Sequence, residues 1–170
     1  MVLIVAATVG WAGLGFSEQI REPAPNVAES SGKFVGGTSD GDQIVRITHL
    51  SGDDVDVSEI EILVEAPQCD VDSARIVDLP LNLPFSMSEN LENGEELIDT
   101  RPPWLQGQTD FGVLDPANNN VLTAGSSFEF RVNSGDCYGT GEGLQEGDTV
   151  TIKTIHTPSN SIIINEEMAA

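Results

Sequence analysis

The stretch TVTIKTIHTPSNSIIIN, residues 149–165, alternates apolar and polar side chains before a short turn sequence and has three consecutive isoleucines after it. A period of two predicts β-strands, here over 149–157 and 161–165. The Pro-Ser-Asn sequence at 158–160 has the residue types that favour turns. The stretch therefore predicts a β-hairpin.

The same period continues through the body of the chain from Gln43 onward. Further strands are predicted in QIVRITHL (43–50), EIEILVE (59–65), ARIVDL (74–79) and SSFEFRV (126–132). Gly, Asn and Pro separate these runs, and the segment between Pro80 and Asn120, rich in the same residues, predicts an irregular loop region. The predicted fold class is mainly β, with an antiparallel β-sandwich-like globular domain over 43–170.

The N-terminal segment MVLIVAATVGWAGLGFS, residues 1–17, contains no charged side chain. As an α-helix its apolar run would be about 24 Å long, against a hydrocarbon core of roughly 30 Å. No basic residue precedes the run and no clear small-residue cleavage site follows it, so it is a poor secretory signal. We expect an apolar transmembrane helix over 1–17, either a truncated anchor or a helix that moves from the bilayer into a helical bundle. Pro23 and Pro25 then predict a linker over 18–42.

The charge of the chain is strongly acidic and unevenly placed. Its 28 acidic and 7 basic residues give a net charge of -21, and all of them lie after residue 17. Nucleic acid is excluded as a partner, since phosphate binding needs a basic patch. Dispersed acid with only two lysines is typical of a surface adapted to concentrated salt, where repulsion is screened. An ordinary acidic secreted protein is the alternative.

The sequence contains no recognisable catalytic or cofactor motif. Its two histidines, His49 and His156, lie in predicted strands without an accompanying nucleophile–base pattern, so we expect them to be structural or surface groups. The acidic sequences 53–56 and 70–72 have cation-ligand spacing but fail the EF-hand pattern, which leaves a solvated turn or weak surface cation binding. We predict no catalytic residue, no metal and no cofactor, and a protein that is not an enzyme.

The two cysteines, Cys69 and Cys137, are both flanked by loop-like sequence. In an exported protein a single pair of this kind predicts a disulfide, which would add about 2–4 kcal/mol to stability. Two buried free thiols in a cytosolic protein are the alternative. The apolar N-terminus favours export, and hence the disulfide.

Parts of the chain resemble a known family. The segment MVLIVAATV (1–9), followed by EPAPNVAESSGKF (22–34), resembles the type IV pilins of haloarchaea. The segment VRITHLSGDDVDVSEIEILV (45–64) is similar to that family's first strand pair, and GDTVTIKTIHTPSNSIII (147–164) is similar to its closing strands. The closing segment, with its His-Thr-Pro-Ser-Asn turn, is the most specific of these likenesses.

This resemblance implies a homo-oligomeric, extracellular filament whose central bundle is made of N-terminal helices, with β-domains facing outward. Such subunits are held in the cell membrane as precursors, trimmed by a prepilin peptidase, and assembled by an ATPase and a membrane platform protein for adhesion and surface attachment. The side chains expected in the filament core are Val2, Leu3, Ile4, Val5, Val9, Trp11, Leu14 and Phe16.

Two alternatives stay open at the sequence level. In the family a basic-glycine processing site precedes the matched apolar run, whereas Met1 lies inside that run. The chain then either starts late, through a wrongly assigned initiator methionine, or is a minor or degenerate subunit. A membrane-anchored extracytoplasmic β-domain, acting as a binding or accessory subunit, is the competing function.

Overall fold

The computed structural model describes residues 22–34, 43–69, 73–80, 90–94, 97–98, 120–132, 144 and 146–169. The described residues are mainly β and contain no α-helix, which confirms the predicted β class. Within these ranges the chain forms ten strands: β1 (Val27–Phe34), β2 (Gln43–Gly52), β3 (Val55–Asp56), β4 (Ile60–Glu65), β5 (Ser73–Ile76), β6 (Leu91–Glu92), β7 (Val121–Leu122), β8 (Ser127–Val132), β9 (Thr149–His156) and β10 (Ser161–Ala169). A 3-10 helix, Val57–Glu59, precedes β4. The helix predicted over 1–17 lies outside the described residues.

The strands form two main antiparallel sheets and one small pair. The first sheet has the order β1-β2-β8, the second β10-β9-β4-β5-β6, and β3 pairs with β7. Register is fixed by opposing apolar residues, such as Val45 opposite Phe130 and Val64 opposite Ile152. Such cross-strand pairs on one face hold antiparallel strands in register, because a slip by one residue would turn every apolar side chain outward.

A common core lies between the two main sheets. Strands β4 and β9 bury every second side chain, the pattern that their sequences predict. Phe128 and Phe130 point inward from β8, with their rings nearly parallel and their centroids 6.5 Å apart. The core joins residues of both sheets and of the small pair, including Val45, Ile47, Val55, Ile62, Val64, Leu122 and Ile152. This arrangement fits a β-sandwich.

Four of the six predicted strand runs agree closely with the structure, and two differ in length. Strand β5 ends at Ile76, earlier than the predicted 74–79, and Asp78 follows with a φ of 51° that is incompatible with a continuing strand. Strand β10 continues to Ala169, beyond the predicted 161–165. The predicted hairpin between β9 and β10 is confirmed by eight paired positions.

Two features differ from the sequence interpretation. The sequence predicts a linker over residues 18–42, but within that range Val27–Phe34 forms β1 and pairs with β2. Its sequence, VAESSGKF, has no clear apolar alternation, and Val27 and Phe34 at its two ends pack against the core as partly buried side chains. The runs 45–50 and 59–64 resemble a strand pair in sequence, yet β2 and β4 lie in different sheets. Strand β3 and the 3-10 helix carry the chain from one sheet to the other.

Candidate functional site at the linker junction

The point at which the N-terminal linker meets the β-domain is fastened by reciprocal hydrogen bonds. The backbone N–H of Asn26 donates to the Asp53 carboxylate (3.0 Å), and the backbone N–H of Asp53 donates to the Asn26 carbonyl (2.9 Å). Asn26 comes directly before β1, and Asp53 directly follows β2. A segment that leads into an edge strand is thereby held at a fixed entry point.

Gly52 allows this close approach of the two chain segments. Its φ is 129°, a conformation that L side chains rarely adopt. A Cβ at this position would lie 2.2 Å from the Asn26 carbonyl oxygen and 2.8 Å from the Ala28 nitrogen. The junction therefore requires glycine for both its backbone conformation and its lack of a side chain.

Glu166 in β10 connects the far side of β1 to the second sheet. Its carboxylate accepts a hydrogen bond from the Ser30 hydroxyl and another from the Gly32 backbone N–H, the latter at 3.1 Å. β1 and β10 are edge strands of their respective sheets. A carboxylate that occupies an edge N–H removes one group that could pair with another chain. Glu166 thus fastens β1 on the side opposite β2.

Gly32 is packed tightly at this contact. A Cβ there would lie 2.5 Å from the Met168 methyl carbon and 2.9 Å from the Glu166 Cβ. Glycine is therefore needed for β1 to approach β10. We call Asn26, Ser30, Gly32, Gly52, Asp53 and Glu166 together the linker junction.

The turn between β9 and β10 is anchored to the residue that ends the 3-10 helix. The Glu59 carbonyl accepts hydrogen bonds from the Thr157 backbone N–H (2.8 Å) and the Thr157 hydroxyl (3.0 Å). The buried ring of His156 lies with Nδ1 2.8 Å from the Ser159 hydroxyl and Nε2 3.5 Å from the Glu59 carboxylate. Asn160 completes the turn with a φ of 54°. These contacts explain why the turn uses the sequence His-Thr-Pro-Ser-Asn.

The order Ser159, His156, Glu59 resembles a nucleophile–base–carboxylate relay, and sequence reasoning missed it. The local sequence carried no signal for Glu59, since it is far from the turn along the chain. Ser159 also lies 3.4 Å from the His156 carbonyl, a second acceptor for its hydroxyl proton. A hydroxyl that closes its own turn in this way is suited to capping the turn. We therefore assign these three residues to holding the hairpin.

His49 and His156 lie in different sheets and have different hydrogen-bond partners. It is fully buried in β2, with Nδ1 3.4 Å from the Leu122 carbonyl, and Nε2 has no hydrogen-bond partner among the described residues. His49 also pairs through its backbone with Ser126 and Gly125. The structure does not bring the two histidines to one set of partners. Within the described ranges, no group of three His, Cys, Asp or Glu residues is placed to hold a metal ion.

The acidic turn at 53–56 uses two of its carboxylates to hold the backbone. Asp53 binds the Asn26 N–H, and Asp56 accepts hydrogen bonds from the Ser58 N–H (2.8 Å) and hydroxyl (2.7 Å). Asp56 thereby caps the 3-10 helix. The second acidic sequence, 70–72, lies outside the described residues.

Basic side chains of the domain pair with glutamates across neighbouring strands. Arg75 lies 3.1 Å from Glu61, and Lys153 lies 2.6 Å from Glu65. Arg46 in β2 pairs with Glu129 in β8. Partly exposed pairs of this kind contribute at most about 1 kcal/mol each. These ion pairs contribute more to strand register than to the stability of the domain. Because acidic residues far outnumber basic ones, most carboxylates have no basic partner to pair with.

The remaining predicted site residues lie mostly outside the described part of the chain. Cys69 is buried and is not a free thiol, whereas Cys137 falls outside, so their pairing stays a prediction. The same holds for the expected core side chains Val2, Leu3, Ile4, Val5, Val9, Trp11, Leu14 and Phe16. None of the described segments forms a helix with the length and hydropathy needed to span a bilayer.

No model of a protein family matches the chain, and no curated protein shows significant sequence similarity to it.

Proposed function

We propose that the chain is a structural subunit of an extracellular filament of the type IV pilus kind, and that it assembles through residues 1–17. The observation that most strongly supports this proposal is the uneven distribution of charge along the chain. The first 17 residues contain no charged side chain, and all 28 acidic and 7 basic residues follow them. An uncharged helix can pass from lipid into a protein bundle without placing a charge in an apolar site.

The linker junction supports this proposal from the side of the β-domain. A filament subunit needs a firm connection between its assembly helix and its outer domain. The bonds between Asn26 and Asp53 fix the chain at the domain boundary, and Glu166 holds the strand that follows. A domain that only had to be tethered to a membrane could use a linker without such fastening.

The assembly mode follows from the position of the proposed contact. Identical helices that bury one another side by side make heterologous contacts, which produce open helical arrays when the rotation does not close. The acidic β-domains remain in the solvent around the bundle. As part of the proposal, a prepilin peptidase, an assembly ATPase and a membrane platform act on the chain, and the filament serves adhesion and surface attachment.

The proposal is tested by placing a charge in the segment. We expect Val5→Asp or Ala6→Asp to abolish filaments seen by electron microscopy of surface appendages, while the β-domain keeps its protease resistance. Leu50→Asp is the matched control, because it adds the same carboxylate at a side chain that is already 44% exposed. Normal filaments from both charged variants would contradict the proposal.

The competing function is a membrane-anchored binding or accessory subunit, and the same experiment separates it. In that case the wild-type chain stays in the membrane fraction and is missing from purified appendages. The filament proposal requires the chain to be present in the purified appendages.

A further inference from the structure

Strands β1 and β10 begin at the same end of the domain. Asn26, which leads into β1, is bonded to Asp53. The connection that starts at Asp53 continues to Glu59, whose carbonyl binds Thr157 in the turn that leads from β9 into β10. One short connection therefore holds the starting points of both strands.

The two strands also run in the same direction, side by side. Ser30 of β1 contacts Glu166 of β10, and two residues further along β1 Gly32 reaches both Glu166 and Met168. Among the described residues, no backbone ladder joins these strands, and the Glu166 carboxylate provides the hydrogen bonds between them. β10 ends at Ala169, at the end of the domain opposite to the linker.

We propose that β1, held between β2 and Glu166, is a force-bearing clamp that resists tension applied through the linker. A pull on the linker acts along β1, towards the end at which both strands start. When the far end of the domain is held, β1 must slide past both neighbours. The proposal concerns the β-domain alone and is independent of whether the chain polymerises.

Sliding loads many contacts at once. The β1–β2 ladder has seven paired positions, and a pull along the strand strains all of them together. A pull across the ladder would instead break them one after another. Glu166 adds charge-assisted hydrogen bonds on the opposite side, which are stronger than bonds between neutral groups. The Glu166 contact thus lies on the side of β1 that has no backbone ladder.

The positions of the two glycines fit this mechanical role. Gly32 allows β1 to come close enough for the Glu166 carboxylate to reach a backbone N–H. Gly52 allows the Asn26 backbone to lie against the end of β2, so that tension enters at a fixed point. Both glycines sit where the strand is fastened.

The test is constant-force unfolding of the full chain in detergent micelles, tethered through its two ends. We expect Glu166→Ala, which loses both hydrogen bonds that the Glu166 carboxylate accepts, to unfold at least about ten-fold faster than the wild type at a given force. Glu167→Ala is the matched neighbour on the same strand and should unfold at the wild-type rate. Ile62→Val lowers stability from the core of β4, away from the clamp, and should accelerate unfolding less than Glu166→Ala does.

Denaturant unfolding of the same variants gives their free energies of unfolding, so that rates under force can be compared between variants of equal stability. Equal rates under force for Glu166→Ala and for a core variant of equal thermodynamic stability would overturn the clamp, and so would a wild-type rate for Glu166→Ala. Should Glu166→Ala fail to fold, Glu166→Gln replaces it, with Glu167→Gln as its control. Glu166→Gln keeps one acceptor oxygen and should unfold at an intermediate rate, whereas a wild-type rate would again overturn the proposal.

Discussion

The Glu166 carboxylate accepts a hydrogen bond from the Gly32 backbone N–H at 3.1 Å, across the seam between the two main sheets. The two residues are 134 positions apart, and their contact joins the first described strand to the last. The pair therefore fastens the strand that follows the linker to the main sheet that contributes more residues to the core. The first predictions concern this seam and the entry point beside it.

A methyl group at Gly32 should destabilise the domain. Gly32→Ala places a Cβ 2.5 Å from the Met168 methyl carbon and 2.9 Å from the Glu166 Cβ, so neighbouring groups must move. We expect the free energy of unfolding, measured by denaturant titration, to fall by about 1–3 kcal/mol. The double variant with Met168→Leu, whose shorter side chain can recover space, should regain part of the loss. An unchanged unfolding free energy for Gly32→Ala would contradict the tight seam.

Two glycines with positive φ provide a matched comparison at the entry point. At Gly52, an alanine would have both an unfavourable φ and a Cβ only 2.2 Å from the Asn26 carbonyl oxygen. At Gly125, which has a φ of 90°, no atom lies within 4 Å of where a Cβ would be, so an alanine would have the unfavourable φ alone. Gly125→Ala should lose about 1 kcal/mol from backbone strain alone, and Gly52→Ala clearly more. Denaturant titration of both variants checks this. Equal losses would show that the close approach at Asn26 does not matter.

The turn contact of Ser159 should stabilise the β9–β10 hairpin. Ser159→Ala removes the hydroxyl that lies 2.8 Å from His156 Nδ1, and His156 is only 3% exposed. Leaving a buried polar atom unpaired costs about 1–3 kcal/mol. Thermal unfolding should show the loss for Ser159→Ala and a smaller one for Ser159→Thr, which retains a hydroxyl. Identical melting temperatures for the two variants would count against the contact.

Mass spectrometry of peptides from the unreduced chain tests the predicted disulfide between Cys69 and Cys137. Peptide mapping without reductant should recover the two cysteines in one linked peptide. Reduction should lower the free energy of unfolding by about 2–4 kcal/mol. Recovery of both as alkylated free thiols from the unreduced protein would contradict the prediction.

The parts of the fold that could be predicted from the sequence are those set by local patterns. The β9–β10 hairpin combines alternation with Pro158 and Asn160, and β4 alternates Ile60, Ile62 and Val64 with glutamates. In both cases burial of one face and the chemistry of the turn act within a few residues. The mainly β class follows from such elements.

The linker junction could not be predicted, because its contacts are distant in sequence and three of its four hydrogen bonds involve a backbone group. β1 has small and polar residues whose pairing depends on β2, and its contact with Glu166 carries no sequence pattern. Likewise Glu59 and Thr157 are 98 positions apart, and the acceptor is a main-chain carbonyl. Contacts of this kind depend on how distant parts of the chain come together in the fold. The local sequence around each residue therefore does not indicate them.

The central claim is that residues 1–17 form the core of a filament while the acidic domain faces outward. Cryo-electron microscopy of surface appendages from cells that make this chain tests it most directly. The account predicts filaments with packed helices of residues 1–17 along the axis and β-domains around them, joined at Asn26. Appendages that lack the chain, found together with single copies of it in the membrane, would contradict the account.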